Sequence, residues 1–458
     1  LLDKAIEICK HKPQKCVIFQ RENIMKCDLI PGQDLDWNEA THSAVPVTEC
    51  VPVPSTHPLY ILYTSGTTGK PKGVTRDTGG YLVALNWSIK NIFGMNTGDV
   101  YWAASDLGWV VGHSYILYAP LANGNTTILY EGKPVGTPDA GAFWRVISQH
   151  GVNALFTAPT AFRAIRKEDP NGELIKKYAR PTFRTLFLAG ERADPPTVIW
   201  AENMLNVPVV DNYWMTETGW PITANFAGLG LFPTRHGSGG KPVPGYTIQI
   251  LDDHGHEVPR DGHGNIVVKL PLPPGTLTTL WQDKERFTGY FKKFHGYFQT
   301  GDAGIVDKDG YVHIMSRTDD IINVAGHRLS TGHIEEAIAT HALVAECAVF
   351  GVNDDIKGEI PIGVVVLKDG KHISPAECEK QIVALVREKL GPVYSFKHCV
   401  LVKRLPKTRS GKILRGIMKK IANGESYKQP ATIDDPVILT EITSALKEIG
   451  YAKQTPAA

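Results

Sequence analysis

Between residues 59 and 268, short apolar runs rich in β-branched and aromatic residues alternate with longer amphipathic stretches. No other feature restricts the fold as much. Strands separated by helices pair in parallel, because each crossover lays its helix on a face of the sheet. The runs at 61–63, 154–157, 185–188 and 207–210 read as strands, and 143–150, 159–167 and 195–205 as helices. The predicted class is therefore α/β, a large multilayer domain around a mostly parallel sheet. From about 237 the texture shifts to short strands cut by Gly245-Tyr246, Asp252-Asp253 and Asp261-Gly262. That pattern predicts a small β-barrel or meander reaching about residue 310.

Beyond 311–317 the chain reads as a compact α+β domain. Ser374-Pro375-Ala376-Glu377 is a capping box with proline at the first helical position, and the helix it opens ends before Gly391-Pro392. Strands near 345–352, 361–367 and 399–403 surround it. The boundary falls at the arginine–aspartate run, giving domains 1–318 and 319–458. Residues 1–58 give a helix at 1–10, a strand at 16–19 and a proline-rich approach from 45.

Composition excludes several classes. A formal net charge of +2 gives no reason to expect nucleic acid or a membrane surface as partner. No apolar run approaches the roughly 20 residues of a spanning helix. The seven cysteines include no CxxC pair, so neither a disulfide framework nor a zinc site is indicated, and a reducing compartment fits. The sequons at Asn86 and Asn125 stand without a secretory signal, so the chain is not read as secreted. It opens at Leu1 with no initiator methionine, and reads as the interior of a longer protein.

Five segments carry chemistry. Residues 63–73 follow an apolar run ending at Leu62, and in them Thr64, Ser65, Thr67 and Thr68 alternate with Gly66, Gly69 and Gly73, with Lys70 and Lys72 among them. Glycines let backbone amides turn toward an anion, and lysine adds charge for a polyphosphate. A plain polar turn is the competing reading, and the distant segments decide against it. Thr216 and Glu217 follow the strand expected at 207–210, where α/β sheets place ligands, and a carboxylate beside a hydroxyl suits Mg²⁺. Asp302 closes a β-like segment and could accept from a ribose diol. Arg317, with Gly326-His327-Arg328 close behind, lies at the domain junction and suits phosphate. Lys412 sits on a glycine-containing basic loop that could bring its charge to a reacting phosphoryl–carboxyl pair.

In this order and spacing the segments resemble the adenylate-forming superfamily of acyl-CoA synthetases, and within it the acetyl-/propionyl-CoA synthetase branch. The resemblance spans essentially the whole chain, and is strongest at 63–73, 109–118, 213–219, 300–302, 316–336 and 406–414. It implies activation of a short-chain carboxylic acid by ATP and Mg²⁺, then transfer of the acyl group from AMP to coenzyme A. By resemblance, Thr64, Ser65, Gly66, Thr67, Thr68 and Lys72 hold the β- and γ-phosphates. Thr216 and Glu217 meet the α-phosphate and the metal. Gly190, Glu191, Asp211, Asn212 and Tyr213 surround adenine, Asp302 takes the ribose hydroxyls, and Arg317 and Arg328 hold ribose and phosphate. Lys412 completes adenylation. Rotation about a hinge at Asp319 then withdraws it and brings Gly326 to the pantetheine path. Arg387 matches a contact to the coenzyme A nucleotide.

Trp214 matches the floor of a short-chain acyl pocket whose other walls are Val110, Val111 and Ala189. Acetate-preferring relatives carry valine where Ala189 stands, so room for one more methylene implies propionate, with butyrate or acetate as lesser substrates. Arg192 replaces the family's usual proline beside adenine, and Met215 replaces a glutamine. Family chains carry a long segment ahead of the position of Leu1, so an N-terminally truncated, non-catalytic nucleotide-binding fragment is the alternative. A P-loop NTPase fails on spacing, since G-x-x-x-x-G-K-[ST] is not met and Pro71 follows Lys70. Against luciferase-like or peptide-synthetase branches stand Trp214 and the run from Gly108 to Ser114. Family analogy places the protein in the mitochondrial matrix, with the cytoplasm as alternative.

Overall fold

The computed structural model describes residues 2–22, 25–64, 71–325, 327–408, 412–430 and 433–452. Its contacts separate two compact units, Leu1–Pro54 and Ser55–Ala458. The first holds a helix Leu2–Ile8, a parallel pair Cys16–Ile18 with Asp34–Asp36, and a helix Trp37–Ser43. Asp36 caps that last helix, accepting from the Asn38 and Glu39 amides. None of its described residues is fully buried.

The second unit is built on a five-stranded parallel sheet. In spatial order its strands are Thr126–Thr127, Val100–Ala103, Ala154–Thr157, Thr185–Leu188 and Val209–Asp211. Side chains alternate across it as the pleat requires. Tyr101, Phe156, Phe187 and Val210 enter one hydrophobic core, while Trp102, Leu155, Leu186 and Val209 enter another on the opposite face. Helices Ala142–His150, Pro159–Glu168 and Pro195–Leu205 supply the second face with Trp144, Phe162 and Trp200. A parallel sheet buried on both faces explains why its strands read as unbroken apolar runs.

One strand expectation is corrected. The run at 61–63 lies in Pro58–Thr64, which pairs antiparallel with Lys72–Asp77, and Thr279–Leu280 completes that separate three-stranded sheet. At the two ends of the segment 63–73, Thr64 thus lies opposite Lys72 and Tyr63 opposite Gly73. The strands Ile248–Leu251, Gly264–Lys269, Tyr297–Val306 and Val312–Arg317 form a four-stranded antiparallel meander. Among the described residues its first and last strands do not pair with each other, so it is the meander of the two alternatives, and it runs past residue 310.

A second five-stranded sheet follows. It comprises Ile322–Val324, His327–Leu329, Val344–Asp354, Gly358–Leu367 and His398–Leu401. Its central strand again divides its side chains, Val364 and Val366 to one core and Val365 to the other. Helix Pro375–Leu390 begins where the capping box places it, with Ser374 Oγ accepting from the Glu377 amide.

Candidate active site

Two neighbouring parallel strands bring the expected adenine segments to one sheet end. Leu188 pairs with Asp211 in register, so Ala189-Gly190-Glu191 and Asn212-Tyr213 leave the carboxyl ends of adjacent strands. Gly190 has φ +96°, which only glycine adopts without strain. Glu191 is fixed by the Thr160 amide at 2.6 Å and by an ion pair to Arg163 at 2.6 Å. Asn212 is 3% exposed, and neither amide atom has a hydrogen-bond partner. A buried side-chain amide with both functions free fits a ligand edge offering one donor and one acceptor, as adenine does.

Desolvation pushes the Asp211 carboxyl up to about 8, against the opposing pull of the Asn212 and Ala193 amides. The sign of the linkage follows. An unfolded aspartate loses its proton near pH 4, whereas the native one keeps it to about pH 8, so stability falls as pH rises across that window. Asp211→Asn should flatten that decline, checked by urea unfolding at pH 5 and pH 8. An unchanged slope contradicts the assignment.

Register also builds the expected ribose position. Asp302 lies directly opposite Arg317 across the meander, and Arg317 Nη1 donates to Asp302 Oδ1 at 3.1 Å. The Tyr213 hydroxyl donates to the other carboxylate oxygen at 2.6 Å. Burial raises the Asp302 carboxyl above its ordinary range, although Arg317 and Tyr213 pull the other way. Asp319, exposed beyond the strand end, pairs with Arg317 Nε at 3.6 Å.

Lys412 closes a hairpin whose stems bridge at Lys407 and Ile413. Its amide donates to Thr408 Oγ1 at 3.1 Å, and its carbonyl accepts the Thr408 amide at 2.9 Å. Its residue keeps solvent access, yet surrounding protein atoms and then the Arg317 guanidinium depress the ammonium, which also feels Asp320, Asp319 and Asp302. The Lys412 ammonium is thus within electrostatic reach of Asp302 and Arg317.

The densest cluster joins a strand, a turn and a helix end far apart in sequence. Lys72 pairs with Glu217 Oε1, and its ammonium donates to the Tyr290 hydroxyl at 2.6 Å. That hydroxyl donates in turn to Glu217 Oε1 at 2.7 Å. Burial alone would raise the Glu217 carboxyl, but Lys72 and Tyr290 outweigh it and hold it below the glutamate range. Beneath them Arg76, 0% exposed, donates to the carbonyls of Thr216, Glu217 and Gly275. Sequence reading missed both Tyr290 and Arg76.

A lone ionised glutamate beside a lysine fits Mg²⁺ that arrives on phosphates, since that ion keeps most of its shell in water and phosphate oxygen. Among the described residues no three His, Cys, Asp or Glu gather as a metal cage.

Of the other expected residues, Val110, Ala189 and Trp214 are buried in one core and Val111 packs against it. Trp214 stands edge-on to Tyr115 at 5.5 Å and stacked with Phe156 at 6.1 Å. Arg328 is not beside this cluster's carboxylates: it pairs with Asp253 of the meander. Arg387 lies exposed in the last turn of Pro375–Leu390. Ser65, Gly66, Thr67, Thr68 and Gly326 lie outside the described residues. Arg192, one of the two departures from the family pattern, reaches Glu336 at 2.5 Å.

Residues 3–275 match the AMP-binding enzyme family and residues 333–412 its C-terminal domain. The chain is 54% identical to human "Acyl-CoA synthetase short-chain family member 3, mitochondrial", over 98% of this chain and 66% of that protein. It is 45% identical to "Propionate--CoA ligase" of Escherichia coli (strain K12), over 98% of this chain and 72% of that one. Among solved structures, the anthranilate CoA ligase AuaEII in complex with anthranoyl-AMP superimposes with a TM-score of 0.76 at 26% identity, covering 86% of this chain and 73% of that one. The chain thus spans about two thirds of the human relative's length. With matched segments over most of its length, this chain belongs to the AMP-binding enzyme family.

Proposed function

We propose that the chain ligates a short-chain carboxylic acid, propionate ahead of acetate, to coenzyme A through an acyl-AMP intermediate, releasing AMP and pyrophosphate. The observation that supports this reading is a pair of bonded clusters, Lys72 with Tyr290 and Glu217, and Asp302 with Arg317, the second within the electrostatic reach of Lys412. A polyphosphate has its cation at the first, and a ribose its diol acceptor at the second. Bound metal would supply charge neutralisation at the phosphates, with Glu217 and Thr216 as its protein neighbours.

The chain's own residues do the rest by positioning and electrostatics. A carboxylate is a poor electrophile with a poor leaving group. Once its oxygen displaces pyrophosphate from the α-phosphorus, AMP becomes a good one. Lys412 would offset the negative charge that develops between carboxylate and phosphoryl oxygens. Coenzyme A thiolate then takes the acyl carbon, and the carboxylate-derived oxygen leaves with AMP. We further propose domains 1–318 and 319–458 turning about Asp319, with Gly326 then beside the thiol path, Arg328 freed from Asp253 to serve the nucleotide, and Arg387 at the coenzyme A nucleotide. The mitochondrial address in the human relative's name supports a mitochondrial location.

Acyl preference follows from volume. Ala189 is 5% exposed in the core that holds Trp214; if it lines the acyl pocket as the resemblance implies, alanine in place of valine leaves room for one more methylene. That methylene contributes roughly 1 kcal/mol, about a fivefold preference. With ATP, coenzyme A and C2–C8 acids, AMP and thioester should form in equal amounts, with propionate best by kcat/KM. Ala189→Val should move the optimum to acetate. Release of ADP, or equal kcat/KM for the two acids in both proteins, contradicts the reading.

A further inference from the structure

Strand Lys72–Asp77 has a period of two, so Lys72, Val74 and Arg76 share one face. Lys72, at one end of that face, grips the Glu217 carboxylate. Arg76, two positions further along it, grips the backbone of the same segment. Its Nη1 donates to Glu217 O at 3.0 Å and Gly275 O at 2.7 Å, its Nη2 to Thr216 O, and its Nε to the Tyr60 hydroxyl at 3.2 Å. The guanidinium also lies over the Tyr81 ring, 5.3 Å from its centre. Among the described residues it forms no ion pair with a carboxylate. A fully buried cation satisfied by carbonyls is costly to hold, and a lysine's compact ammonium does not reproduce the guanidinium fork that bonds three carbonyls and the Tyr60 hydroxyl at once.

The fit is close on the far side as well. Gly219, at φ +77°, approaches so near that a Cβ there would lie 2.5 Å from the guanidinium carbon. The Glu217 carbonyl also receives the Leu277 amide at 2.8 Å, so the segment's backbone is held from two sides.

We propose that Arg76 is a positioning residue for the first half-reaction: by clamping the Thr216 and Glu217 carbonyls it fixes where the Glu217 carboxylate and the Thr216 hydroxyl meet metal-bound phosphate. This rests on the acyl-AMP reading above. Pyrophosphate and the metal that would neutralise it are needed only in the first step, so the clamp bears on acyl-AMP formation far more than on transfer of a ready-made acyl group to the thiol. A displacement of about 1 Å in a catalytic group costs on the order of 100-fold.

The test uses the full chain, wild type and Arg76→Lys, with three readouts. These are acyl-AMP formation, thioester formation from supplied propionyl-AMP, and calorimetric binding of a non-hydrolysable ATP analogue with and without Mg²⁺. The expected result for Arg76→Lys is an acyl-AMP rate lower by about 100-fold, transfer within about threefold of wild type, and loss of the Mg²⁺-dependent part of analogue binding. Equal loss of both half-reactions in a folded variant, or no loss in either, overturns the role. If Arg76→Lys does not fold, Tyr60→Phe removes one of the arginine's acceptors and is judged by the same split, at about tenfold. A wild type that makes no acyl-AMP from any C2–C8 acid refutes the ligase reading instead. In that case the analogue-binding comparison still decides the place of Arg76.

Discussion

Lys412→Ala should lower acyl-AMP formation by about 10³-fold while leaving thioester formation from supplied acyl-AMP within about threefold of wild type. The reason is electrostatic. The Lys412 ammonium lies within the field of Asp302, Arg317, Asp319 and Asp320, and a neighbouring guanidinium with partial desolvation already depresses it. A cation so placed is poorly compensated at rest. It gains most when negative charge develops beside it, which is the condition for stabilising a transition state over a ground state. The lysine hangs on a hairpin fastened by Thr408 and the Lys407–Ile413 bridge, so its removal disturbs no core. Single-turnover assays of each half-reaction check the expectation. Equal losses in both halves would assign the lysine to binding or folding.

Glu217→Gln should have the second large effect, a fall of about 10²–10³ in acyl-AMP formation, again with transfer preserved. Glutamine keeps the shape and can still accept from Tyr290, but it removes the charge that faces Lys72 and that a divalent cation needs. The same carboxyl makes a pH prediction with a definite sign. Its native pKa lies below the unfolded value, so its contribution to stability is complete above the ordinary glutamate range and is lost as pH falls through the native value. Glu217→Gln should remove that acid-side loss, read as a flatter midpoint–pH curve below about pH 4.5. An acyl-AMP rate that survives the substitution would exclude Glu217 from the phosphate site.

Much of this was legible in sequence because local and global patterns agree. The strands at 154–157 and 185–188 announce themselves as apolar runs since both faces of the parallel sheet are covered. Ser374 marks a helix start by accepting from the open Glu377 amide, and Pro375 by lacking one of the N–H groups the helix would leave open. Helix Thr78–Asn91 escaped the same reading. It buries Tyr81, Leu85 and Ile89 but also shows Leu82 and Val83 to solvent, so it lacks the polar face that gives a helix its periodic signature.

The site divides along the same line. Glu217 and Lys412 stand in segments whose composition already suggests loops after strands, whereas Asp302, expected to close a strand, lies inside Tyr297–Val306, because pairing with Val312–Arg317 carries the strand on past it. Tyr290 touches Glu217 across 73 positions of sequence, which no local pattern encodes. Arg76 did carry a signal, since a strand through Lys72 puts both cations on one face, but it appears only once the run after Pro71 is read as a strand. Arg328 shows the reverse case. Its motif suggests phosphate, while in the structure its guanidinium is taken by Asp253.

Oxygen-18 tracing tests the central claim most directly. Acyl-AMP chemistry transfers one carboxylate oxygen to the α-phosphorus, and that oxygen departs with AMP when the thiolate takes the acyl carbon. Incubated with ATP, Mg²⁺, coenzyme A and propionate labelled at both oxygens, the chain should release AMP carrying one labelled oxygen, with unlabelled pyrophosphate. Unlabelled AMP, or label recovered in inorganic phosphate beside ADP, would contradict it.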